Sequence, residues 1–97
     1  MPPVKLLTIH TFHHLPGLGI LVRGRTGPER IPYPLHTALL VRLQLPDGSH
    51  ARLVATVEEV SHGNATGPAL LLQTEAPLPL RPGLEIWLET ETGKTRN

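Results

Sequence analysis

Apolar and polar residues alternate along much of the chain, most clearly on either side of Pro46-Asp47-Gly48. Before this tripeptide Leu39, Val41, Leu43 and Leu45 are interleaved with Leu40, Arg42 and Gln44; after it Ala51, Leu53, Ala55 and Val57 are interleaved with Arg52, Val54, Thr56 and Glu58. A period of two on both sides predicts two strands joined by a turn. The faces also set the turn length. A two-residue loop would put Leu43 opposite Arg52, mixing apolar with polar. A three-residue loop at 46–48 pairs Leu45 with Ser49, Leu43 with Ala51, Val41 with Leu53 and Leu39 with Ala55, so that the faces agree. Pro46 suits the first turn position, and Gly48 suits the left-handed residue that closes a type I turn with a bulge.

Four further runs read as strands. Over 4–12, Val4, Leu6, Thr8, His10 and Phe12 share one face. Over 18–25, glycines at 19 and 24 suggest tight curvature or a bulge. The run 69–74 is apolar on both faces, as expected of a strand crossing the interior. Over 84–89, Leu84, Ile86 and Leu88 point inward. Prolines at 16, 28, 32, 34, 46, 68, 77, 79 and 82 leave no interval outside 47–67 long enough for an ordinary helix. The expected fold is therefore all-β, a small antiparallel six-stranded barrel, because closure removes exposed strand edges. Residues 1–89 form a single β-barrel domain in this reading, and 90–97 form a polar C-terminal tail.

Composition narrows the function. The 97 residues suffice for one domain, and 39% apolar residues suffice for a core, but with one Phe, one Tyr and one Trp its volume must come mainly from leucine. The absence of cysteine excludes a disulfide scaffold, an iron–sulfur site and a thiol nucleophile. A net charge of +1 gives no global attraction to phosphate backbones or anionic membranes, so any basic surface must be local. The first ten residues lack the apolar run and cleavage site of a signal peptide, and no stretch approaches the ~20 apolar residues that span a bilayer. A cytoplasmic location without a membrane is the expectation.

Chemical motifs fail on context. Gly93-Lys94-Thr95 resembles the end of a phosphate-binding loop, but Leu88 stands where that motif needs glycine. Gly17-Leu18-Gly19 begins like a dinucleotide fingerprint, but Val22 replaces the third glycine and a strand follows. Ser49 and Ser61 lie in no nucleophile elbow, and the adjacent Glu58 and Glu59 face opposite sides of a strand, which defeats a paired acid and base. No enzyme activity and no cofactor are expected. Among the histidines His10, His13 and His14 cluster; on a strand His10 and His14 share a face that His13 does not, and a metal would need a third ligand from elsewhere.

Arginine supplies the remaining candidate surface. Arg23 and Arg25 share a face of their strand, and Arg42 and Arg52 share the polar face of the hairpin. If the 18–25 strand lies beside the hairpin, these four form a local basic stripe suited to phosphate or acidic protein. The plainer alternative keeps them outside for solubility, paired with Glu58 or Glu85. Tyr33, in the proline-rich 27–36 loop, marks a candidate protein-contact surface.

In order along the chain, Phe12, Gly17-Leu18-Gly19, Ile20-Leu21-Val22-Arg23-Gly24-Arg25, Val54-Ala55-Thr56-Val57-Glu58, Leu70-Leu71-Leu72 and Leu80-Arg81-Pro82-Gly83 resemble the second domain of translational GTPases, the β-barrel of elongation factor Tu and its relatives. The resemblance covers about residues 8–88. It departs at Gly27-Pro28-Glu29-Arg30-Ile31-Pro32-Tyr33-Pro34, where the family has a glycine-acid turn, and it carries no GTP hydrolysis. It implies a binding module of the translation-factor barrel type. The expected function is thus a non-catalytic protein-interaction or accessory subunit. The alternatives are an RNA-binding barrel using Arg23, Arg25, Arg42 and Arg52, or a metal-binding protein using the N-terminal histidines. The partner is a protein or a structured RNA, and a homo-oligomer stays open.

Overall fold

The computed structural model describes residues 4–24, 31–63, 65–74 and 76–90. These residues form seven strands and no helix: β1 (Lys5–Thr8), β2 (Thr11–Leu15), β3 (Gly19–Arg23), β4 (Ala38–Gln44), β5 (His50–His62), β6 (Ala65–Leu72) and β7 (Glu85–Thr90). All pairings are antiparallel, in the order β1-β7-β4-β5-β6-β3-β2.

The β4–β5 hairpin has the register that its alternation dictates. Leu43 lies opposite Ala51, Val41 opposite Leu53 and Leu39 opposite Ala55. The Leu45 amide donates to the Ser49 carbonyl at 2.7 Å and the Gly48 amide to the Leu45 carbonyl at 2.9 Å, closing the three-residue loop with Gly48 at φ 90°. Asp47 stabilises the turn by accepting from both the amide (2.9 Å) and the hydroxyl (2.6 Å) of Ser49. These bonds, the hydroxyl's first, favour the charged form and hold the carboxyl below its ordinary pKa.

The expected single strand over 4–12 is two strands, which makes seven rather than six. The register between β1 and β7 shifts between Lys5 and Leu7, so Leu6 and Leu7 are both buried, and Ile9 is buried after them. A bulge of this kind breaks the period of two on which the expected face of Val4, Leu6, Thr8, His10 and Phe12 depended. Ile9 then donates to the Leu84 carbonyl at 2.8 Å while His10 donates to the Arg23 carbonyl at 2.7 Å. One segment therefore divides its pairing between β7 and β3. Strand pairing does not close the sheet into a barrel: β1 and β2 are its two edges, linked through the chain at Ile9 and His10.

Leucine, isoleucine and valine fill the core, as the scarcity of aromatics requires. Leu6, Leu7, Ile9, Ile20, Val22, Leu39, Val41, Leu43, Ala55, Val57, Leu70, Leu72 and Ile86 form one cluster, with Tyr33, Leu53, Leu84 and Leu88 packed against it. Strand β6 runs through the middle of the sheet, as its apolar character predicts. Leu70 and Leu72 are fully buried, whereas Leu71 is half-buried on the other face, opposite Thr56 and Leu21.

Candidate nucleic-acid interface

Cross-strand partners share a face, so the registers locate each arginine. Arg42 on β4 lies opposite Arg52 on β5 and, on its other side, opposite Trp87 on β7. Trp87 in turn lies opposite Lys5 on β1. Lys5, Trp87, Arg42 and Arg52 therefore form one row across four neighbouring strands, about 14 Å from end to end at ~4.8 Å per strand. Inward-facing Val41, Leu43 and Ile86 flank the row in sequence and place it on the outer face of the sheet.

Two glutamates are set into the row. Glu89 bridges the arginines: Oε2 lies 3.0 Å from Arg52 Nε, and Oε1 lies 3.8 Å from Arg42 Nε. Its position coincides with an irregularity in the ladder. Val41 pairs with Leu88 but Leu40 with Thr90, so Glu89 is the extra residue at the register shift. Glu85 lies 3.8 Å from Lys5 Nζ and accepts a 3.3 Å hydrogen bond from Trp87 Nε1, which fixes the indole edge. Trp87 is half-buried. The row thus carries three cations, two carboxylates and one held aromatic plane.

The four-arginine stripe does not assemble as expected. Strand β6 lies between β3 and the hairpin, so β3 is not the hairpin's neighbour. Arg23 pairs across to Ala69, which pairs across to Glu58, and Glu58 stands six residues beyond Arg52 on β5. That separation is about 20 Å along the strand. Arg25 lies outside the described residues. Arg42 and Arg52 come together, and their ionic partner is Glu89 rather than Glu58 or Glu85. Lys5, Trp87 and Glu89 were not singled out from the sequence. The inward Leu84, Ile86 and Leu88 nonetheless imply an outward Glu85, Trp87 and Glu89, an aromatic between two acids.

Elsewhere Tyr33 packs on the core and lines a groove of about 290 Å³ with Ile31, Pro34, Leu35, Val57 and Pro68. Leu35 is 52% exposed beside it. His36 adopts φ 70°, a left-handed conformation uncommon for a non-glycine residue; its amide donates to the Val57 carbonyl at 2.7 Å and its Nδ1 lies 3.4 Å from Glu58 Oε1. The N-terminal histidines diverge. His14 pairs with Ile20 and His13 with Leu21, on opposite faces of β2, and His10 lies in the bend before it. Among the described residues no group of three or more His, Asp or Glu could hold a metal ion. Among them, too, no helix is long and apolar enough to cross a membrane.

Compared with protein-family models, with curated proteins and with solved structures, the chain matches none.

Proposed function

We propose that this protein is a non-catalytic binding module that takes RNA on the outer face of β1, β7, β4 and β5. The observation that carries the proposal is Arg42 placed directly between Arg52 and Trp87. Like charges directly opposed across a ladder need an anion between them, here the Glu89 carboxylate, and a lone tryptophan on an outer face contributes less than it would in the core. Guanidinium pairs that grip phosphate, next to a plane on which a base can stack, give that arrangement a use. In this reading the chain is a translation-factor-type module whose sheet stays open between β1 and β2, which the chain links at Ile9 and His10. Its support is the order of motifs along the sequence and the division of pairing at Ile9 and His10.

The test is anisotropy of a fluorescent oligouridylate titrated with the protein between about 50 and about 200 mM salt. Three cations contacting phosphate should give a slope of log affinity on log salt of about −2, at ~0.7 per contact. The double variant Arg42→Ala/Arg52→Ala should flatten that slope by more than half. A flat slope, or an unchanged double variant, overturns the reading.

The groove at Tyr33 favours a second reading, a protein-interaction or accessory subunit docking at 31–36. The exposed Leu35 beside a groove walled by Pro34 and Pro68 supports it. Affinity purification with Leu35→Asp as control tests it; a partner retained equally by the variant rules this surface out.

A further inference from the structure

The two arginines already hold an anion, and its geometry says which ligand they suit. Each Glu89 oxygen takes one guanidinium, so the carboxylate spans the pair as the two non-bridging oxygens of a phosphodiester would. The carboxylate is the more covered partner: the Glu89 side chain is 23% exposed, against 38% for Arg42 and 65% for Arg52. The guanidiniums remain open to solvent above it. One negative charge facing two positive ones leaves the seat attractive to anions even when Glu89 is in place. Glu89 is also the extra residue at the β4–β7 register shift; in an unshifted ladder the same position would lie opposite Leu40, on the same outer face as Arg42.

We infer that Glu89 is a built-in stand-in for phosphate. A phosphodiester of single-stranded RNA displaces its carboxylate from between Arg42 and Arg52, while the adjoining base stacks on Trp87. The inference rests on the RNA reading above and adds a mechanism to it. The tethered carboxylate competes within the molecule and is always at high local concentration, so it sets a threshold that weak or isolated anions do not cross. A strand that engages Lys5, Trp87 and the arginines together does cross it. The exchange forms and breaks no covalent bond: the carboxylate swings to solvent, and phosphate oxygens take over its two contacts.

The experiment titrates an oligouridylate of about ten nucleotides, within the usual span of a single-strand site, with wild type, Glu89→Gln and Glu89→Lys. Glu59→Gln, an exposed β5 position away from the row, makes the same charge change elsewhere. Thermal melts verify that each variant folds. Removing the competitor should tighten binding about three- to tenfold in Glu89→Gln, from two surface ion pairs of ordinary strength, and further in Glu89→Lys, while Glu59→Gln stays within about twofold of wild type. Trp87→Ala should lose about fivefold or more through the stacked base. Salt-sensitive, arginine-dependent binding with no gain in either Glu89 variant overturns this inference and leaves the RNA reading intact. An equal gain from Glu59→Gln overturns it too, because bulk charge would then explain the effect. Wild-type binding that ignores Arg42 and Arg52 overturns the RNA reading itself.

Discussion

Gly19→Ala is the sharpest test of the β3–β6 pairing, which keeps Arg23 away from the β4–β5 hairpin. Gly19 opens β3 at φ 136°, a region essentially confined to glycine, and a Cβ built there would overlap the backbone carbonyl oxygen of Leu72 and come within 3.1 Å of its carbon. The obstacle cannot rotate away, because Leu72 is fully buried and paired on both sides, with Ile20 and with Ala55. The backbone conformation costs about 1–3 kcal/mol. Relieving the overlap by separating β3 from β6 removes about one backbone hydrogen bond, ~1 kcal/mol, and loosens the contact between Ile20 and Leu72. A loss of about 3 kcal/mol follows. With a urea m-value of about 1–1.5 kcal/mol/M, the unfolding midpoint should fall by about 2–3 M. Gly48→Ala is the control. It has φ 90° but nothing within 4 Å of the added carbon, so only the left-handed conformation counts, ~1 kcal/mol before the gain from a less flexible unfolded chain. Urea melts of both variants by circular dichroism decide the matter. A midpoint shift for Gly19→Ala no larger than that for Gly48→Ala would refute the close approach of β3 to Leu72.

Leu43→Ala removes a fully buried side chain opposite Ala51 and Ile86 and should cost about 2–5 kcal/mol in the same melts, whereas Leu40→Ala, half-buried on the other face, should cost much less. The Asp47 carboxyl should titrate below 3.8 by NMR and return toward that value in Ser49→Ala. Its folded pKa is depressed, so whatever stability it adds is present above the unfolded-state pKa and is lost as pH falls through the lower folded value. A salt-resistant oligouridylate complex, or one indifferent to the Glu89 variants, would remove the corresponding proposal.

Legibility followed locality. The β4–β5 hairpin could be read to the residue because its register is set by a short turn and an unbroken alternation from Leu39 to Val57. The inward Ile86 and Leu88 were equally plain. The split of the first strand was not, because the bulge that buries both Leu6 and Leu7 leaves no mark in composition and turns Leu7 and Ile9, rather than Thr8, toward the core. Pro68 obscured the start of β6, which begins at Ala65 and pairs with β5 out to His62. The candidate row shows both outcomes. Arg42 and Arg52 sit on one hairpin and could be paired from sequence, but Trp87 and Lys5 join them through contacts between distant parts of the chain. The alternation that turns Ile86 and Leu88 inward turns Glu89 outward, but its two arginine partners are set by the β4–β7 pairing, which only the assembled ladder reveals.

The pairing of β1 with β7 also orders events in time. Lys5 and Leu7 find their partners in Trp87 and Ile86, so β1 waits for β7, about eighty residues later in synthesis. The β2–β3 and β4–β5 hairpins close over short turns and can form while the chain is still growing. Leu6 and Leu7 must meanwhile stay uncovered. The candidate row takes residues from both ends of this sequence of events, so it exists only after β1 and β7 have paired. A nascent or partly unfolded chain would therefore carry the arginines without the tryptophan beside them.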